Sequence, residues 1–184
     1  ADIEITRSIF SNADCGNALE VGFETHCPEF SNIRFRDCDV LRSLPEGNLS
    51  GAALSVHAGN EAAIRDVTFE NLRVEQPLEK LLDFSIFVSP YTESEGIGSI
   101  RGVRVRDIDL MSSLLPRSFV HGYNDAHRIE DVLIERIRMA GARYRSILNT
   151  NHGISTTVEP HPTLDATPAV RALTSVRHAD VRFE

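Results

Sequence analysis

The chain has 184 residues, of which 41% are hydrophobic and 25% charged, and its formal net charge is −8. That length suffices for one domain with a sizeable core. The acidic balance argues against nucleic acid as a partner, since phosphate binding needs a basic face, and no apolar run approaches the roughly 18 residues of a membrane span. The same balance makes a strongly anionic polysaccharide a less natural ligand unless a local basic groove overrides the total. Of the 19 basic residues only Lys80 is a lysine. The three cysteines, Cys15, Cys27 and Cys38, include no C-x-x-C pair, so a zinc site has no sequence support; no cofactor is expected. One disulfide, for instance Cys15 with Cys27, is compatible with the count and is not fixed by the spacing.

Taken in chain order, one pattern recurs: apolar-x-apolar-x-x-apolar-x-apolar. Its copies are Ile3, Ile5, Ser8, Phe10; then Ile33, Phe35, Cys38, Val40; Val67, Phe69, Leu72, Val74; Val103, Val105, Ile108, Leu110; and Val132, Ile134, Ile137, Met139. Val181 and Phe183 start a partial sixth. The intervals are 30, 34, 36, 29 and 49 residues. Between copies stands a further short apolar-alternating stretch. These are Leu19–Gly22, Leu54–His57 and Phe84–Phe87, with inward positions one and three, and then Arg117–Val120 and Arg145–Leu148. Residues 44–51 and 89–99 are turn-rich insertions. The interval 150–175, with Pro160, Pro162 and Pro168, is expected to leave the repeat as a long loop excursion.

The template excludes a helix, because its four apolar positions point in nearly cancelling directions at about 100° per residue. Two short strands joined by a corner fit it, with period two inside each pair. The second corner residue is Asp37, Asn71 and Asp107 in three copies, types that tolerate the left-handed conformation of a sharp corner, and Arg7 and Arg136 in the other two. Cys38 is expected to point inward as a small apolar residue. The predicted fold is all-β: a right-handed parallel β-helix with three strands per coil of about 30 residues. Coils stack about 4.8 Å apart, and each buries its inward side chains only against its neighbours. Residues 1–184 are expected to form one domain. The chain starts and stops inside a repeat copy without a polar capping repeat, so it is expected to be a fragment truncated at both ends.

The stretch Gly16-Asn17-Ala18-Leu19-Glu20-Val21-Gly22-Phe23-Glu24, followed by Ser31-Asn32-Ile33-Arg34-Phe35, resembles the pectin-lyase-like glycoside hydrolases. Polygalacturonases and dextranase-type enzymes are the nearest in pattern, and the resemblance covers roughly residues 1–140. In polygalacturonases a Gly-His-Gly-Leu-Ser-Ile-Gly-Ser stretch precedes an Asn-Val-aromatic strand, and an Arg-Ile-Lys strand follows one coil later. Here Ser55-Val56-His57 stands in that later place, followed by Ile64–Asn71. The resemblance implies a polysaccharide-cleaving enzyme whose catalytic aspartates fall before Ala1. Asn17 replaces the family's active-site His, and Ser55 and His57 replace the Arg and Lys that hold substrate carboxylates. Without those two cations the implied substrate is a neutral glycan, or an acid placed differently.

Glycoside hydrolysis needs two carboxyl groups flanking the scissile bond. Glu20 faces outward between inward Leu19 and Val21, and Glu24 lies near the end of the same strand. Both are candidate substrate contacts, against the plainer reading of a solvated outward face. Asp14 is read as a turn former. His57, with Ser55, is expected to lie outward above Gly22, where it would bond a sugar hydroxyl or shuttle a proton, against the plainer reading of a surface histidine with no role. His121-Gly122-Tyr123-Asn124-Asp125-Ala126-His127 combines an aromatic face with planar polar groups, as sugar binding wants. His121, Tyr123 and Asp125 are its candidates, with turn chemistry as the alternative. No metal is expected there. Tyr91 is a second possible stacking platform. Asn149, Asn151, His152 and His161 receive no role.

Two functions follow. The first is a fragment of a secreted or periplasmic glycoside hydrolase, inactive as this chain alone because its acid/base pair is missing. The second is a non-catalytic glycan-binding or structural β-helix. A calcium-dependent lyase is disfavoured because no carboxylate cluster has calcium spacing.

Overall fold

The computed structural model describes residues 2–12, 16–44, 51–112, 115–140 and 163–184. In chain order the elements are β1 (Ile3–Thr6), β2 (Ile9–Asn12), β3 (Leu19–Phe23), β4 (Glu29–Ser43), β5 (Ala52–Ala58), β6 (Ala63–Val74) and β7 (Lys80–Ile86). There follow β8 (Ser99–Leu110), β9 (Arg117–His121), β10 (Ile129–Ala140), β11 (Thr163–Asp165), α1 (Thr167–Leu173), β12 (Thr174–Arg177) and β13 (Ala179–Phe183). The described chain is mostly strand. Every strand pair in it is parallel except β10 with β11.

The chain alternates between two sheets. The first orders β1-β4-β6-β8-β10, with β2 also on β4 and with β11 and β13 both on β10. The second orders β3-β5-β7-β9-β12. From β1 to β10 each pass adds to both sheets, so residues about 30 apart pair; the one pair of strands consecutive in the chain is the antiparallel β10 with β11. The repeat copies meet in register: Ile33, Val67, Val103 and Val132 are successive Cα partners, and so are Phe35, Phe69, Val105 and Ile134. Val181 and Phe183 continue both rows on Val132 and Ile134.

All five expected corner residues are left-handed. Their φ values are 52° at Arg7, 54° at Asp37, 52° at Asn71, 57° at Asp107 and 53° at Arg136. A second corner row was not anticipated: Asn32, Asp66, Gly102 and Asp131 have φ of 59°, 54°, 72° and 54°. Each stands immediately before the first apolar position of its copy. The long strands β4, β6, β8 and β10 therefore bend twice rather than once.

Inward side chains of both sheets form one core. Phe35, Phe69 and Phe84 stack as near-parallel rings, with centroids 5.3 and 6.3 Å apart, and the second contact joins the first sheet to the second. Cys38 is buried, as expected for an inward small apolar residue. The outer face of the first sheet is a ladder of solvated ion pairs. Examples are Arg73 with Asp39 at 2.9 Å and Arg138 with Asp109 at 2.6 Å. Arg136 and then Arg138 hold the Asp107 carboxyl below its ordinary value.

One expectation about strands needs correction. Phe84 pairs with Val56, not Leu54, which instead pairs with Leu82. Aligning Phe84–Phe87 on Leu54–His57 is two residues out of register, a slip that keeps the same face inward. The strand that follows β9 in the second sheet is Thr174–Arg177, while Arg145–Leu148 lies outside the described residues. Of the interval 150–175, the part from 163 onward is structured. There β11 pairs with β10 and α1 packs on it, with Ala166 and Val170 buried. The Ile137 amide donates to Thr167 Oγ1 at 3.0 Å.

Candidate functional site

Parallel pairing stacks outward residues of the second sheet into rows. One row runs Glu20, Ser55, Asp83, Phe119, Ser175, and the next runs Gly22, His57, Ser85, His121, Arg177. These rows concentrate polar groups on one face because alternate strand residues point the same way.

At their centre lies a charged line across three strands. His57 Nδ1 is 3.0 Å from Glu20 Oε2, and its Nε2 is 3.4 Å from Asp83 Oδ1. Asp83 also pairs with Lys80 through its other oxygen and accepts a bond from Ser85 Oγ at 2.6 Å. Asn17 donates to Glu20 Oε2 and accepts from the Ala52 amide at 2.8 Å, which fixes the carboxylate against its strand. Burial alone would push His57 down, but hydrogen bonds and charge from Asp83 and Glu20 outweigh it, and its pKa rises to about 9. Burial pushes Asp83 up. The hydrogen bond and charge of His57, with Lys80 and Ser85 behind them, carry its carboxyl well below the usual range instead.

The register expected from sequence holds at this point, since Gly22 and His57 are Cα partners. Gly22 has φ +102°, and a Cβ there would collide with the His57 carbonyl oxygen and lie 2.6 Å from Ile64 Cδ1. Only glycine lets the two strands approach under the imidazole. His57 points outward, as expected, yet is only 5% exposed. Phe23 and Phe87 meet its ring edge-on, with centroids 5.7 and 5.5 Å away. Phe23 reaches it from a left-handed backbone position, φ 67°.

The other candidates scatter. Ser55 is fully buried, and its Oγ and Glu20 Oε1 have no hydrogen-bond partner among the described residues. Glu24 is exposed just past β3, outside the charged line. Tyr91 is 65% exposed in its loop and Tyr123 is 46% exposed after β9. His121 ends β9, its ring stacked on Phe119 with centroids 5.0 Å apart. Asp125 bonds His178 Nδ1 at 2.8 Å and faces Arg128, so in this structure it ties its loop to β13's approach. Asp14, Cys15, Asn149, Asn151, His152 and His161 lie outside the described residues.

Sequence reasoning missed Asp83, Lys80, Ser85 and Ser175. The first three were legible in principle: with Leu82 aligned on Leu54, Asp83 falls in the Glu20 row and Ser85 beside His57. Beside this line a hollow of about 560 Å³ is lined by Leu78, Lys80, Leu115, Arg117, Phe119 and Leu173. Lys80 Nζ lies 5.5 Å from the centroid of the Phe119 ring. Aromatic and aliphatic walls with a few fixed polar groups suit a small polar organic ligand.

No group of three or more His, Cys, Asp or Glu among the described residues is arranged to hold a metal ion. No helix among them is long and apolar enough to cross a membrane. No family model matches the chain, and neither a curated protein nor a solved structure matches it.

Proposed function

We propose that the chain is part of a right-handed parallel β-helix that lays a polysaccharide along the outer face of its second sheet. The parent is a glycoside hydrolase whose proton-transferring carboxyls come from outside these residues. The observation that carries this reading is the contrast between the two outer faces. The first sheet shows solvated ion pairs of the kind that contribute little. The second shows half-exposed Phe119, Ser85 and His121 and exposed Arg117 about a buried, fixed charge line, next to the 560 Å³ hollow, with exposed Tyr123 just past the end of β9. The sequence resemblance given above points the same way, and a polysaccharide substrate fits an exported parent.

Glu20 and Asp83 are not the acid/base pair in this reading. They stand two strands apart, about 9–10 Å by strand spacing, which falls near the separation used by inverting enzymes. Both, however, are tied to one buried imidazolium, and Asp83 is held ionised. A general acid must carry its proton near working pH. They position the surface instead.

That same sharing of His57 favours a second reading, a glycan-binding module without catalysis. Affinity electrophoresis in neutral and acidic polysaccharides, with reducing-end release measured in parallel, tests both. Retardation without release is expected of this chain. Absence of retardation in every glycan would overturn the polysaccharide reading, and robust release would overturn the assignment of Glu20 and Asp83. A pair of carboxylates at outward positions in the coding sequence before Ala1 separates the hydrolase from the binding module.

A further inference from the structure

The outer face of the second sheet holds one further arrangement with its own chemistry. Ser175 on β12 and His121 on β9 both point outward from neighbouring parallel strands, and Ser175 Oγ stands 3.0 Å from His121 Nε2. Both are half-buried, so each is shielded yet open to a ligand. The imidazole is held in one plane by its stack on Phe119, inclined by 14°. Arg177, the Cα partner of His121, is exposed beside it and has no ion-pair partner among the described residues. Burial and then the Arg177 charge push His121 below its ordinary pKa, against the pull of the Asp83 carboxylate and the Ser175 backbone, with Lys80 adding to the downward push. The ring is thus neutral at pH 7, unlike His57 across the same sheet.

A hydroxyl in hydrogen-bond reach of a neutral, oriented imidazole is the geometry of an activated nucleophile. We infer that Ser175 and His121 form a serine–histidine acyl-hydrolase pair, with Arg177 as the cation that stabilises the oxyanion. With its proton on Nδ1, His121 takes the Ser175 Oγ proton at Nε2 while Oγ attacks the carbonyl carbon of an ester. The tetrahedral oxyanion faces the Arg177 guanidinium. Collapse breaks the bond to the alcohol oxygen, which leaves with the proton from Nε2. Water then attacks the acyl-serine, gives a proton to Nε2, and the carboxylic acid departs as Oγ recovers its proton. No oxidant, reductant or metal enters the balance.

The substrate class is a short acyl ester, because the pair sits on an open sheet face rather than in a deep apolar channel. That its alcohol is a glycan hydroxyl rests on the polysaccharide reading above; the acyl chemistry does not. An acylated glycan lying along the second sheet would pass over both the charge line and this pair.

The test uses the whole chain with p-nitrophenyl acetate and a fluorophosphonate probe followed by peptide mass spectrometry. The expected result is a burst of nitrophenol, turnover above buffer, and probe on Ser175. Ser175→Ala then removes both burst and label, and His121→Gln lowers the rate by about 100-fold or more. Arg177→Met lowers turnover with little change in KM, as loss of an interaction made only in the transition state requires. Thermal melts of each variant show that the fold survives. An unlabelled Ser175 in the folded chain, or equal turnover by folded Ser175→Ala, overturns the assignment. Activity on p-nitrophenyl acetate with no polysaccharide retardation leaves this pair standing and removes only the glycan.

Discussion

Glu20 and Asp83 stand two strands apart in one outward row, and a single imidazole joins them: His57 reaches one through Nδ1 and the other through Nε2. Three successive strands of the second sheet, β3, β5 and β7, are thereby stitched on their outer side by one buried charge line. Its energetics differ from those of the solvated pairs on the first sheet, because here removing a partner leaves charge in a low-dielectric site.

The first consequence is a pH profile. His57 is raised from 6.5 to about 9. Its contribution is therefore complete below pH 6.5 and disappears as pH climbs through about 9. Asp83 is depressed, so its share is present above the ordinary carboxylate range and disappears only in acid. The two shifts describe one contact and are not added. Unfolding free energies from urea titrations should be flat between about pH 5 and 6.5 and fall by on the order of 3 kcal/mol by pH 9.5. In His57→Gln the alkaline limb should vanish. An unchanged limb in that variant would show that His57 is not its source.

Asp83→Ala takes the carboxylate from between two cationic side chains, His57 and Lys80. A loss of about 3–5 kcal/mol is expected. Arg73→Ala, which breaks the exposed pair with Asp39, should cost less than about 1 kcal/mol. Equal losses in chemical denaturation would mean that the second-sheet line is no more buried in effect than the first-sheet ladder.

Gly22→Ala should be severe for its size. The left-handed backbone and the collision with the His57 carbonyl together place the cost above about 2 kcal/mol. A neutral result would place the two strands farther apart than the structure does.

At the corner, Asn71 has φ 52° and donates to Asp37 Oδ1 at 2.6 Å. Asn71→Val should cost about 2 kcal/mol, because a β-branched residue resists this conformation and the bond is lost. Asn71→Gly should cost only about 1 kcal/mol, for the bond alone. A larger loss in the glycine variant than in the valine variant would contradict the corner assignment.

These corners show how far sequence carries. The row Arg7, Asp37, Asn71, Asp107 and Arg136 was legible because the two-residue gap in the apolar template marks a bend at a fixed offset. The row Asn32, Asp66, Gly102 and Asp131 was equally available, immediately before each first apolar position, but no gap in the apolar pattern drew attention to it. The second sheet was harder to read. Its strands carry only two or three inward residues, so a two-residue slip at Phe84 costs nothing in pattern and displaces Asp83 from the Glu20 row. The burial of His57 depends on Phe23 turning through a left-handed backbone and on Phe87, neither of which alternation encodes. Ser175 escaped because β12 follows a helix, where no repeat copy pointed to a strand.

The central claim, that the second sheet's outer face is the glycan surface, is tested most directly by titration calorimetry with a panel of neutral and uronic-acid oligosaccharides. The unmodified chain is compared with Tyr123→Ala, Arg117→Ala and the first-sheet control Arg73→Ala. Binding by the unmodified chain, weakened about tenfold or more by the first two changes and untouched by the third, is the predicted result. No binding to any oligosaccharide, or a loss as large for Arg73→Ala as for the other two, would contradict it.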